Sequence, residues 1–478
     1  MRIIGNDPST PRQTQVVASG TLPSGVPVVV NSDGTVSVVD ESNVSESTGS
    51  PTIFDPLAYG NPISAAFDST NNKVVISYAD DGTDTGNSVV GTISGTSISF
   101  GTPVVFESGF SHYITSTFDS SSGKVVIAYR DVENSNQGTA IVGTVSGTSI
   151  SFGSATVYET NAVSEQAITF DTSSNKIVIA YKIGSTGTAI VGTVSGTSIS
   201  FGSSAQFNAS SANFTSAGFD TASNKVVISY KDDGNSSYGT SIVGTVSGTS
   251  ISFGTKVVFE SASTRYTSTV FDSANGKIVV AYADQGNSFH GTAVVGTVSG
   301  TSISFGTPVV FEAASVYSLS ATYDVTAGKV TIAYQDDGNG QDGTLISGTV
   351  SGTSISFGTP AVFETDATTL ISSTFDSSSS KVVVAYSAST NGTSVVHQNA
   401  YSSTNLTAEN FLGFAAHTYA DTQSALVNST CTVDRNQSGL TAGQTYYVQT
   451  DGSLGTTAAD PSVVAGTAIS STEIIVKG

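Results

Sequence analysis

The chain has 478 residues and a net charge of −21, from 37 acidic against 16 basic side chains; only 11% of residues are charged, against about a quarter in an ordinary soluble domain. That balance excludes a phosphate-backbone partner, which needs clustered Lys and Arg, so no nucleic acid is expected. A single cysteine, Cys431, cannot form an internal disulfide, so packing and backbone hydrogen bonds must hold the fold.

The chain opens Met1-Arg-Ile-Ile-Gly-Asn-Asp-Pro8, without an apolar h-region, and no run approaches 18 apolar residues. Neither a secretory signal nor membrane insertion is expected. From residue 51 the sequence is repetitive. Gly-Thr-Val-Ser-Gly-Thr-Ser-Ile-Ser-Phe-Gly begins at Gly143, Gly192, Gly244, Gly296 and Gly348, and at Gly91 with Ile93 in place of Val. An aromatic-Asp marker falls at Asp68, Asp119, Asp171, Asp220, Asp272, Asp324 and Asp376, in steps of 49 to 52 residues. There are therefore seven units. In each, a Lys stands five residues after the Asp (Lys73 to Lys381), and a Tyr stands 11 residues after the marker aromatic (Tyr78 to Tyr386).

Each unit reads as four short strands. In the second these are Ile114 to Phe118, Lys124 to Tyr129, Thr139 to Val145 and a strand from Thr148, with a tight hairpin at Ser146-Gly147. No helical period occurs in the repeats. Such units suggest blades of a β-propeller rather than a linear β-solenoid, and the ends decide between them. The seventh unit lacks the Gly-Thr-Val-Ser string, whereas a surplus strand, Pro51-Thr-Ile-Phe-Asp55, precedes the first unit, with Phe54 13 residues ahead of Phe67. The expected fold is all-β: a seven-bladed propeller of four-stranded antiparallel blades over 51–400, closed by residues 51–55. Closure would remove free sheet edges. An N-terminal arm (1–50) and a small C-terminal β domain (401–478) would form a base, emerging on the face of the Asp-x₄-Lys turns.

Those turns are nearly invariant and have a local explanation: the Asp accepts turn N–H groups and the Lys lies across the hairpin. The opposite connections differ between units. They include Phe110-Ser-His-Tyr113, Asn161 to Glu165, Asn213-Phe214, Thr264-Arg-Tyr266 and Val316-Tyr317, read as loops entering each unit. Acidic loops such as Asp131 to Asn136, Asp232 to Tyr238, Asp284 to His290 and Asp336 to Asp342 join the second and third strands. Variation confined to one set of loops marks where ligand contact is built. The candidate ligand-binding residues are Tyr113, Phe214, Tyr238, Tyr266, Phe289, Tyr317, Arg130 and Arg265. Aromatic faces suit sugar rings, with Asp, Asn and Ser bonding hydroxyls. With the bases held largely in the seven turn lysines, the variable loops should be acidic, and their partner neutral or cationic.

No catalytic residues and no cofactor are expected. His112, His290, His397 and His417 lack metal-ligand spacing, neither a nucleophile elbow nor a phosphate-binding Gly-Lys loop occurs, and two arginines are too few for a sialidase-type cluster. The acidic loops lack EF-hand order, so no metal site is assigned.

The last 70 or so residues carry Gly439-Leu-Thr-Ala-Gly-Gln-Thr-Tyr-Tyr447, a Thr450-Asp-Gly-Ser turn and a closing Val464 to Val476 strand. This resembles a C-terminal module of tail-fibre and other virion proteins of tailed bacteriophages. The segment Ala18 to Val36 and the repeats look similar to proteins of marine tailed phages. The resemblance offers no catalytic residues. It implies a non-enzymatic structural protein at the virion surface, a tail fibre or appendage attached to other virion proteins through its terminal modules. Its variable loops would meet a host-surface glycan or protein. A capsid-decorating protein and a glycan-binding or glycan-hydrolysing propeller are the alternatives.

Overall fold

Runs of β-branched residues broken by Gly, Asn and Asp turns leave the chain little choice but strands. The computed structural model describes residues 13–57 and 62–477. The opening stretch Met1 to Pro8 lies outside the described residues. No described segment is α-helical apart from two one-turn 3₁₀ pieces, Gln285–Asn287 and Asp337–Asn339, and no helix is long and apolar enough to cross a membrane. The fold is all-β and of propeller type, in two compact units. One is Ser45–Asn399; the other joins the chain up to Val44 with that from Ala400 onward.

Within Ser45–Asn399 every repeat has the same register. In the second, Lys124–Asp131 pairs on one side with Ser111–Asp119, with Lys124 opposite Asp119, and on the other with Gln137–Ser146. The Asp119 carboxylate accepts the N–H groups of Ser121 (2.9 Å) and Ser122 (3.1 Å), and all seven marker aspartates hold their turns in this way. Residues Val125 to Tyr129 are buried without alternation because the sheet is covered on both faces. Val125, Ile127 and Tyr129 pack on Val75 and Val90 of the preceding repeat, whereas Val126 and Ala128 pack on Ile177, Ile179 and Tyr181 of the next. The core is this stack of facing sheets.

The outer strand departs from the sequence reading: it is broken in two. Ser149–Phe152 and the start of Thr156–Asp171 both pair with Gln137–Ser146. The break comes at Gly153, where a Cβ would meet the Thr197 carbonyl oxygen of the next repeat at 1.8 Å. Three of the connections between repeats are also not the loops expected. Thr156–Asp171, Val257–Asp272 and Val309–Asp324 run unbroken from the outer edge of one repeat to the first strand of the next. The third strand of the earlier repeat grips the crossing segment, as in the Tyr238–Ser263 and His290–Ser315 pairings, and keeps it extended.

The ends of this unit meet. Ser47–Thr48 and Thr52–Asp55 both pair with Asn391–Gln398 of the last repeat. Phe54 joins a core containing Val74, Ile76 and Val89 of the first repeat and Val383, Ala385 and Val396 of the last. A serine hydroxyl on one first strand accepts an N–H from its neighbour: Ser116 N–H to Ser64, Ala321 to Ser268, Ser373 to Ser320, and Ala65 of the first repeat to Ser372 of the last. Tyr129, Tyr282, Tyr334 and Tyr386 each donate to a Glu on the adjoining outer strand; Tyr78 donates instead to Asp55 at 2.8 Å.

In the terminal unit, Gln13–Val17 pairs with Ser424–Asn428 and Pro27–Val30 with Phe411–Ala415, so the two ends of the chain build one sheet. A second sheet holds Thr445–Val448, Val463–Ala468 and Ile474–Val476. Leu440 and Tyr446 of the Gly-Leu-Thr motif lie in its core, and the Tyr446 hydroxyl accepts the Thr441 N–H at 3.0 Å.

Candidate functional site

In repeats two to seven the first strand slips register against the second, between His112 and Thr115 and at the equivalent positions. Each slip places one residue, six before the marker Asp, in the left-handed region: Tyr113 (φ 50°), Glu165 (54°), Phe214 (52°), Tyr266 (53°), Ser318 (43°) and Leu370 (55°). A bulge of this kind re-aims a side chain, and a non-glycine residue held there costs about 1–3 kcal/mol. Five of these six strained residues converge on one place. A cavity of about 290 Å³ is lined by Pro62, Tyr113, Glu165, Phe214, Tyr266, Ser318 and Ile371, among others, and so by all seven repeats. A flanking cavity of about 380 Å³ shares Tyr266 and Ser318 with it and adds Tyr317, Gln335, Gln341, Thr369 and Leu370.

Of the expected ligand residues, Tyr113, Phe214 and Tyr266 line the shared cavity and Tyr317 the flanking one. All four sit on bulged strands rather than on loops. Their rings form a crescent: Phe214 to Tyr266 is 5.0 Å between centroids, Tyr266 to Tyr317 is 5.9 Å, and Tyr317 stacks on Phe289 at 6.2 Å. Arg265 lies over the Phe289 ring and Arg130 over Tyr113, each at 5.3 Å, a favourable cation–π distance. The Nε of both arginines is buried without a hydrogen-bond partner. Tyr238 is not brought into the group: it opens a third strand opposite Asp232 and Ser263 and lines neither cavity.

Sequence reasoning missed Glu165 and Gln166. Burial pushes the Glu165 carboxyl above the usual carboxylate range, against the pull of Lys182, Lys231 and the Phe214 N–H, which donates to Oε2 at 2.7 Å. The Gln166 side-chain oxygen accepts from the Tyr158 hydroxyl, whereas its Nε2 is buried and unpartnered. The signal was in the alignment of repeats: Glu165 occupies the column of Tyr113, Phe214 and Tyr266.

The expected charge distribution also needs correction. Arg130, Lys182 and Lys231 each follow the buried second-strand Tyr and pair with His112, Ser164 and Asn213, just ahead of the bulges. With Arg265 they bring four cations to the surroundings of the cavity. Two are engaged by neighbours: Lys182 Nζ reaches Asn213 Oδ1 at 2.5 Å, the Asn213 amide donates to Asp233 at 2.6 Å, and Lys231 pairs with Asp233 at 3.3 Å. In the acidic loops, Asp80, Asp232, Asp284 and Asp336 accept N–H groups of their own turns. Among the described residues no group of three His, Cys, Asp or Glu side chains is placed to hold a metal ion. The cavity thus offers aromatic faces, one carboxylate, the Gln166 amide and hydroxyls.

No protein-family model matches the chain, and no curated protein aligns with it. Among solved structures it is similar to the BP39L lectin from Burkholderia pseudomallei, with 9% identity and a TM-score of 0.50 over 70% of this chain and 98% of that one. Weaker likenesses, to the Dos1 propeller (14% identity, TM-score 0.46, 74% of this chain and 95% of that one) and a NanB sialidase mutant from Streptococcus pneumoniae (10%, 0.43, 73% and 70%), carry no inference. At these identities the BP39L similarity concerns the fold alone.

Proposed function

We propose that the seven repeats close into a seven-bladed ring, clasped by the strand around Phe54, and that the mouth of its axial channel binds carbohydrate without hydrolysing it. The observation carrying the binding reading is the convergence of strained residues from five repeats, three of them aromatic, on one cavity, with the sixth, Leu370, in the cavity beside it. Strain persists where the surrounding structure over-determines it and clusters at ligand sites. Closure is supported by the Ala65–Ser372 stitch, by the core shared between the first and last repeats, and by the Tyr78–Asp55 bond, each matching contacts between internal neighbours. The BP39L lectin, whose fold is similar, is by its own name a sugar binder. Glycosidic hydrolysis generally uses two carboxylates flanking the bond, and the shared cavity is lined by one, Glu165. The resemblance of the terminal sequences supports a phage virion as the setting, with the terminal unit attaching to other virion proteins and the mouth meeting the host surface.

A glycan array probed with the full chain tests the binding. Wild type is expected to bind a defined subset of glycans, with Tyr266→Ala losing them while staying folded. Binding unchanged in Tyr266→Ala, or none by wild type, would overturn the reading.

A further inference from the structure

We infer that the mouth takes a chain of sugars rather than a single residue, laid across Tyr266 from the shared cavity into the flanking one, and that Glu165 excludes acidic sugars from the inner end. This deepens, and rests on, the carbohydrate reading above. The two cavities are neighbours with a common wall, Tyr266 and Ser318, and volumes of about 290 and 380 Å³. The rings along that wall are bent rather than stacked shut: Phe214 and Tyr266 meet at 52°, Tyr266 and Tyr317 at 79°. Their faces are therefore presented in succession, as a chain of sugar rings requires.

The polar linings differ. The flanking cavity offers the neutral groups of Gln335, Gln341 and Thr369. The inner one has Glu165, Gln166, Thr215 and Thr267. The Phe214 N–H anchors one Glu165 oxygen, and an ionised carboxylate keeps further acceptor sites, suited to a hydroxyl or an amine. The unpartnered Gln166 Nε2 is a donor in want of an oxygen. A carboxylated sugar here would set two anions side by side in a mostly buried place, where like charges disfavour ionisation. No cation lining either cavity offsets this. The arginines cover the Tyr113 and Phe289 rings, Lys231 is paired with Asp233, and Lys182, bonded to the neutral Asn213 amide and already drawn to Glu165, lines neither cavity and so offsets a second anion only in part.

Calorimetric titration of the full chain with three series of one to four sugar units separates the possibilities: cello-oligosaccharides (neutral), glucosamine oligomers (cationic) and oligogalacturonides (anionic). Cello-oligosaccharide affinity is expected to rise about tenfold or more from one unit to three, and glucosamine oligomers to bind at least as well. Oligogalacturonides should bind about tenfold weaker or less. Glu165→Gln should close the gap between the neutral and anionic series. Tyr317→Ala, which leaves the inner cavity intact, should weaken three-unit binding about tenfold and leave the single sugar unchanged. Affinity independent of length, or an anionic penalty that survives Glu165→Gln, overturns the inference. If no series binds, the inference fails, and a positive array with Tyr266-dependent binding would still leave the broader carbohydrate reading standing.

Discussion

The clasp can be tested through one side chain. Phe54 is 8% exposed; its ring lies 5.1 Å from Tyr78 and 5.8 Å from Phe100, both of the first repeat, while its strand is bonded to the last. Phe311, on an internal outer strand, is 7% exposed, with Tyr334 at 5.3 Å and Phe357 at 5.6 Å, and is a matched control. Truncating a buried Phe to Ala costs about 3–5 kcal/mol from lost transfer energy and the cavity left behind. That is a large part of the roughly 5–15 kcal/mol that holds a typical domain together. If the clasp is as firm as an internal junction, Phe54→Ala and Phe311→Ala should lower the urea midpoint by similar amounts, each equivalent to about 3–5 kcal/mol. Hydrogen exchange should then quicken in Asn391–Gln398 and in the first repeat together. A loss below about 1 kcal/mol for Phe54→Ala beside the full loss for Phe311→Ala would refute the reasoning, since a frayed strand has little packing to lose.

The same junction should respond to steric change: a Cβ on Gly49 would meet the Thr96 carbonyl oxygen at 1.8 Å, so Gly49→Ala should destabilise by about 1–3 kcal/mol, as Gly153→Ala should between internal repeats, measured by the same urea titration. Acid should loosen it too. Burial holds the His397 imidazole below its ordinary range, with Lys329 acting in the same sense and Glu46 and Asp324 opposing. The folded chain therefore takes up this proton later than the unfolded one. The stability His397 contributes is complete above about pH 6.5, the unfolded value, and is lost as pH falls from there through the folded value. The urea midpoint should drop between pH 7.5 and 5.5, and less so in His397→Gln. At the bulge, Tyr113→Gly should be more stable than Tyr113→Ala by about 1–2 kcal/mol in thermal melts, because only glycine is at ease at φ 50°.

Much of the framework was legible. The period, the Asp turns and the displaced strand around Phe54 followed from spacing, since turn chemistry and the alternation of core positions are local and repeat unchanged. The candidate site was legible in part. Tyr113, Phe214, Tyr266 and Tyr317 were found by their variability, but they were assigned to loops. The segments of Tyr266 and Tyr317 run on as strands because the third strand of the previous repeat grips them, a contact between units that no local pattern announces. The register slip escaped for the same reason: its αL residues are Tyr, Glu, Phe, Ser and Leu, none of which signals positive φ as Gly or Asn would. Tyr238 is an aromatic in a variable loop yet lines neither cavity, because composition carries no direction. Glu165, Lys182 and Lys231 required reading the repeats by column, where their places beside the bulge coincide with those of Tyr113 and Arg130.

The most direct test of the central claim is a crystal structure of the full chain with a cello-oligosaccharide of three units. The account predicts sugar density at the mouth, with one ring over Tyr266 and a hydroxyl within hydrogen-bond reach of Glu165. Sugar bound elsewhere, between the outer strands of neighbouring repeats or in the terminal unit, with the mouth filled only by water, would contradict it.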